Sequence, residues 1–157
     1  MRSPRSAIAV LALSAASLVA IVSHEGYRGE AYVPVPGDVP TLGFGTTGGV
    51  KPGDRTDPVT ALQRALTDVN TFEGALRRCV DVPLHQYEYD AFVSLAYNIG
   101  SPAFCGSTLV KKLNAKDYAG ACQEILRWNR FKGRPLPGLT KRRQAEYRKC
   151  IGEGSAA

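Results

Sequence analysis

The chain has 157 residues, 44% hydrophobic and 22% charged, enough for one domain with a sizeable core and unlike collagenous, disordered or low-complexity sequences. Its formal charge is +6, and the excess is local: nine Lys or Arg and a single acid, Glu146, fall between Arg127 and Lys149. A basic C-terminal third suits an anionic partner (nucleic acid, bacterial wall or membrane surface) without choosing among them.

Residues 7–22 form sixteen positions without a charge, preceded by Arg2 and Arg5. That is the layout of an export signal whose N-terminus stays in the cytoplasm. As one helix the run would span about 24 Å, short of a hydrocarbon core of about 30 Å. Six alanines with Ser14 and Ser17 also make it weakly apolar. Three readings compete: a signal peptide cut after Ala16 or Ala20, a permanent anchor, and a helix that first sits in lipid and later leaves it. Glu25 follows the run closely, and cleavage after Ala20 would strip away any helix that positions it. If Glu25 works, retention of the segment is physically more sensible, and the uncleaved reading is preferred.

Residues 31–54, "AYVPVPGDVPTLGFGTTGGVKPGD", alternate prolines with valines and repeat glycines, which predicts short strands of a small antiparallel sheet. "PGD" at 36–38 reads as a turn and "TLGFG" as a strand. Asp57 followed by Pro58 is a good helix start, and Val59, Leu62, Ala65, Leu66, Val69, Phe72 and Leu76 recur at helical spacing through Arg78. A second helix fits residues 86–99, with Gly100 as its stop. Shorter helices are predicted over 107–113, 118–128 and 139–150. There is no internal repeat and no long linker, so the fold class is α+β. Four cysteines, Cys79, Cys105, Cys122 and Cys150, allow three complete pairings that spacing does not rank. With an export-type N-terminus, two disulfides in an oxidising compartment are preferred over buried free thiols in a cytosolic protein. No CxxC or Cys/His cluster points to a metal, and no cofactor is expected.

Two histidines exclude most familiar catalytic sets. There is no HExxH and no GxSxG, and "GFGTTGG" lacks the Gly-Lys-Ser/Thr of a phosphate loop. Carboxylates beside a hairpin are different. Glycoside hydrolysis needs a protonated acid for the leaving oxygen and a second carboxylate for water or the sugar cation, and the acid belongs in the less polar setting. Glu25 ends an apolar helix, Asp38 lies in a turn thirteen residues later, and Thr41 could hold a water by its hydroxyl. Singly, each has a bland reading as helix cap, turn residue or strand residue.

"HEGYRGEAY", then "GDVPTLGFGTT", resembles the active-site region of the phage-type lysozymes, the endolysins of glycoside hydrolase family 24. The likeness continues through "YDAFVSLAYNIGSPAFCGSTLVKKLNAKDYAGAC" and "RW" to "GLTKRRQAEYRKC", from about Ile21 to Ile151. The N-terminal run resembles the signal-arrest-release anchor of a subgroup of these endolysins. The resemblance implies a lysozyme-like α+β fold, a small antiparallel sheet plus a mainly helical body, with an N-terminal membrane-type helix. It implies a signal-anchor over 1–22 and a catalytic domain over 23–157. By it, Glu25 is the general acid and Thr41 the threonine heading the "TxGxG" strand. Many members place the aspartate six positions before that threonine, where this chain has Val35; Asp38 is the nearest candidate and Glu30 the fallback. Cys79–Cys105 and Cys122–Cys150 are the pairs the resemblance suggests.

The function so implied is hydrolysis of the β-1,4 bond between N-acetylmuramic acid and N-acetylglucosamine in peptidoglycan, by a monomer held inactive while tethered to the host inner membrane, N-terminus cytoplasmic, and then released to the periplasm. Two rivals remain: a lytic transglycosylase, which uses one glutamate and no water, and a non-enzymatic membrane-anchored wall-binding module. Nucleic-acid binding rests only on charge and is opposed by the export-type N-terminus. Tyr97, Trp128, and Arg142 and Arg143 with Glu146 read as architecture, the last three as a helix-face ion pair.

Overall fold

The computed structural model describes residues 2–154; Met1 of the segment expected over 1–22 and residues 155–157 of the domain expected over 23–157 lie outside the described residues. The chain forms two compact units, residues 15–71 and residues 1–14 with 72–157.

The first unit begins with α1 (Ala15–Glu25), followed by β1 (Arg28–Tyr32) and β2 (Thr41–Gly43), which pair antiparallel with Arg28 opposite Gly43 and Tyr32 opposite Thr41 and an irregularity between. On its other edge β1 is bonded to the chain at 54–56, Ala31 N–H to the Asp54 carbonyl and Thr56 N–H to the Gly29 carbonyl. α2 (Pro58–Cys79) then starts where expected: the Asp57 carboxylate accepts from the N–H groups of Val59 and Thr60, both at 3.0 Å, and from the Thr60 hydroxyl at 2.6 Å. Those bonds, the hydroxyl foremost, hold its carboxyl below the usual range. The buried stripe of α2 here is Ala61, Ala65 and Val69, whereas Val59, Leu62 and Leu66 are exposed.

The second unit is helical: α3 (Gln86–Ile99), α4 (Ser101–Cys105), α5 (Thr108–Asn114), α6 (Tyr118–Glu124) and α7 (Pro137–Cys150), with a two-stranded hairpin, β3 (Arg130–Phe131) and β4 (Arg134–Pro135), before the last helix. Leu76, Leu84, Tyr89, Phe92, Leu95, Phe104, Leu109, Leu113 and Ile125 are fully buried. Disulfides join Cys79 to Cys105 and Cys122 to Cys150, the pairs the resemblance suggested. The ion pair expected along α7 is present, and it is internal. Arg143 is 1% exposed and lies 2.7 Å (Nε) from Glu146 Oε2; it also donates to Glu146 Oε1 at 3.0 Å and to Asn98 Oδ1 at 2.8 Å. Ser94 completes Glu146 by donating to its Oε1 at 2.7 Å.

The uncharged run over 7–22 departs from the membrane-type helix expected of it. It holds a single 3-10 turn at Ile8–Val10, an irregular stretch, and then the start of α1 at Ala15. The physical reason is that side chains far away in sequence take the peptide groups a helix would need. Glu73 accepts from Leu13 N–H at 2.6 Å, Asp90 from Ser14 N–H at 3.0 Å, Arg77 donates to the Leu11 carbonyl at 2.9 Å, and Gln86 to that of Ala12 at 2.8 Å. Upstream, Ser6 pairs with Leu84 through two backbone bonds, and Arg5 grips Glu88 with two bonds of 2.7 and 3.0 Å while lying 3.5 Å from the Tyr118 ring centre. Among the described residues no helix is long and apolar enough to cross a membrane.

Candidate active site

All three candidate residues belong to the first unit. α1 ends at Glu25, and the chain leaves the helix at Gly26, whose N–H bonds the Val22 carbonyl at 3.0 Å. The glutamate is thus held by a helix end and is half-buried. What it meets is the turn after β2. Leu42 and Thr46 exchange two backbone bonds, 2.9 and 3.0 Å, around Gly43-Phe44-Gly45. A Cβ on Gly45 would lie 2.8 Å from Glu25 Oε2 and 3.0 Å from its Cδ, and the residue sits at φ +85°. Close approach and backbone conformation both demand glycine, so the carboxyl rests on a bare Cα. Nearby in sequence, Tyr27 and Phe44 meet with tilted rings 5.6 Å apart.

Asp38 and Thr41 lie on the β1–β2 connection. Pro36 and Gly37, the latter at φ +86°, form the centre of a turn closed by Asp38 N–H to the Val35 carbonyl at 3.0 Å. This is the type II pattern, with proline preset at the second position and glycine supplying the positive φ at the third. Val35, at the family's aspartate position, therefore becomes the first residue of the turn, and Asp38 follows its tip, exposed. The backbone of Val39 holds both candidates: its N–H donates to Asp38 Oδ1 at 2.8 Å, and its carbonyl accepts from the Thr41 hydroxyl at 3.2 Å. Thr41 is 6% exposed, and a hydroxyl that donates to a carbonyl keeps its lone pairs for a water. The fallback, Glu30, is exposed on β1 and ion-paired to Arg55 at 3.3 Å.

Three residues that sequence reasoning passed over complete the arrangement: Gly45, Thr46 and Asp68. Thr46 is buried and donates its hydroxyl to Asp68 Oδ2 on α2 at 2.7 Å. The alternate glycines of "GFG" were the available signal. Of the two candidate carboxylates, Glu25 is half-buried at the end of α1 and Asp38 is exposed on the β1–β2 connection. Among the described residues no group of three or more His, Cys, Asp or Glu is placed to hold a metal.

A mainly helical chain with a small antiparallel hairpin turned against a helix-terminal carboxyl has the lysozyme-like α+β fold. The phage lysozyme family model matches residues 22–146, and the chain belongs to that family. It is 44% identical over 138 residues to an endolysin of Acyrthosiphon pisum secondary endosymbiont phage 1, covering 85% of this chain and 94% of that protein. It is 35% identical over 145 residues to a SAR-endolysin of Pseudomonas phage phiKMV, covering 90% and 89%. Among solved structures it is similar to the muramidase domain of SpmX from Asticaccaulis excentricus, with a TM-score of 0.81 and 29% identity over 90% of this chain and 98% of that one.

Proposed function

We propose that the protein is an endolysin that hydrolyses the β-1,4 bond between N-acetylmuramic acid and N-acetylglucosamine of bacterial peptidoglycan. Glu25 protonates the leaving oxygen, Asp38 acts as base toward water or stabilises the sugar cation, and Thr41 orients the water. The observation that carries this reading is the half-buried carboxyl of Glu25 at the end of α1, resting on Gly45 of the hairpin turn. Likeness to a muramidase domain supports the bond chosen.

Residues 1–22 serve in this reading as an uncleaved signal-arrest-release anchor and residues 23–157 as the catalytic domain. The monomer is first tethered to the host inner membrane, N-terminus cytoplasmic, and is later free in the periplasm. Similarity to a SAR-endolysin supports it, as does a run that is weakly apolar and short for a bilayer. In this reading the bonds of the Leu13 and Ser14 N–H groups to Glu73 and Asp90 belong to the released state, since the same peptide groups would be helical in lipid.

The test is activity on purified peptidoglycan for the full chain and its Glu25→Gln and Asp38→Asn variants, with products identified by mass spectrometry. Both variants are expected to lose the products ending in reducing muramic acid. An active Asp38→Asn enzyme would move the second role to Glu30 or, with anhydro products, turn the chemistry into a lytic transglycosylase. A folded wild-type protein that binds wall and cleaves nothing would leave a binding module.

A further inference from the structure

The turn that carries Gly45 is fastened to α2 at two points. At one end Gly43 lies against Ala61 so closely that a Cβ on the glycine would sit 2.9 Å from that of the alanine. At the other, Thr46, 5% exposed, donates its hydroxyl to Asp68 Oδ2 at 2.7 Å. Gly45 lies between them in contact with Glu25. A hydroxyl bonded to a carboxylate is a short, charge-assisted link; beyond it Arg64 of α2 donates to the Gly48 carbonyl at 3.3 Å.

Building on the reading of Glu25 as general acid, we infer that Thr46 and Asp68 are positioning residues for it. Their bond fixes the height of Gly45 above α2, and the bare Cα of Gly45 fixes the direction of the Glu25 carboxyl. Neither side chain needs to touch the glycan. If the bond is lost, the backbone pair of Leu42 with Thr46 and the Gly43–Ala61 contact still hold the hairpin, so the change is confined to the wall on which the carboxyl rests. An acid must aim its proton at the glycosidic oxygen, and a misplacement of about 1 Å can cost about 100-fold in rate; a smaller displacement at Gly45 should cost about tenfold.

The experiment measures initial rates over a range of peptidoglycan concentrations. Thr46→Val keeps the shape and removes the donor; kcat is expected to fall about tenfold with KM within about twofold. Thr46→Ser, which restores a hydroxyl, should recover most of the loss, and Asp68→Ala should reproduce it. Glu25→Gln is run beside them and should be inactive. Folded Thr46→Val or Asp68→Ala protein with wild-type kcat, or with KM alone altered, overturns the inference while leaving Glu25 in place. An active Glu25→Gln would instead overturn the reading on which it rests. Should Thr46→Val fail to fold, Asp68→Ala decides, because Asp68 is only half-buried.

Discussion

At Gly45 two independent demands fall on one atom, and they are separable by substitution. Alanine there would place a methyl 2.8 Å from Glu25 Oε2, and the backbone at φ +85° penalises any L side chain by about 1–2 kcal/mol. The strain affects stability alone, whereas the methyl displaces the carboxyl. Gly45→Ala is therefore expected to lose roughly 100-fold in rate, far more than its modest fall in melting temperature explains. Gly48→Ala is the control, because nothing lies within 4 Å of a Cβ at that position and its φ is ordinary. Equal activity losses in the two variants would show that the turn matters only as a folded loop. Asp38 poses the opposite case. Its carboxyl is exposed and accepts from the next N–H, a bond that an amide oxygen can also accept, so Asp38→Asn chiefly removes the charge.

At the level of elements, local signals were legible and distant partners were not. The helix at 86–99 has the bounds its sequence predicts, because Tyr89, Phe92, Val93, Ala96 and Tyr97 recur at helical spacing and Gly100 supplies the stop within the segment itself. The start of α2 was equally plain, since Asp57 caps it from the adjacent position. Its buried face was legible only in part: Ala65, Val69 and Leu76 are buried as their spacing implies, but Val59, Leu62 and Leu66 share that spacing yet are exposed, and the small Ala61 is buried instead. The hairpin at 130–135 has almost no sequence signal, only a Lys-Gly pair, Lys132 at φ +49° and Gly133 at +78°, without alternating apolar flanks. Of the site, Glu25, Asp38 and Thr41 came from pattern and resemblance; Asp68 lies twenty-two residues from the threonine it holds and has no local mark.

The α7 charges show the same limit, and they carry a prediction. Arg142, Arg143 and Glu146 look like a solvated face, but Arg143 and Glu146 are almost wholly buried with Ser94 and Asn98 as partners. Burial pushes the Glu146 carboxyl above the usual glutamate range, opposed first by Arg143 and then by the Ser94 hydroxyl. Arg143→Met would remove the main opponent and should cost about 3–5 kcal/mol near neutrality. The sign with pH follows. A carboxyl raised in the folded state binds more protons there than in the unfolded chain, so stability falls as pH rises above about 4.3. The defect measured by urea unfolding should therefore shrink between pH 7 and pH 5. A pH-independent defect would mean that the loss is packing alone.

For the molecule as a whole, the sharpest question is what happens to the first fourteen residues. They are not spare sequence in the folded state. Arg5 fills the carboxylate of Glu88, which is 4% exposed at its side chain, and Ser14 fills both oxygens of Asp90. Leu13 completes Glu73, which also accepts from the buried Tyr89 hydroxyl at 2.9 Å. Bonds to charged groups contribute about 1.5–3 kcal/mol each, so a chain lacking residues 2–14 should lose roughly 3–6 kcal/mol after rehydration of the three acids offsets part of the sum. A protein whose export segment was cut after Ala16 or Ala20 would also have lost part of α1, the helix that ends at Glu25. The uncleaved reading thus makes a prediction about mass: active protein recovered from the periplasm of expressing cells should retain Arg5 through Ser14 in its intact-mass spectrum. Active protein shortened by sixteen or twenty residues would show that those bonds are dispensable and that the segment is an ordinary signal peptide. Retention together with lytic activity would mean that the segment is not an ordinary cleaved signal peptide and that its bonds to Glu88, Glu73 and Asp90 belong to the active fold.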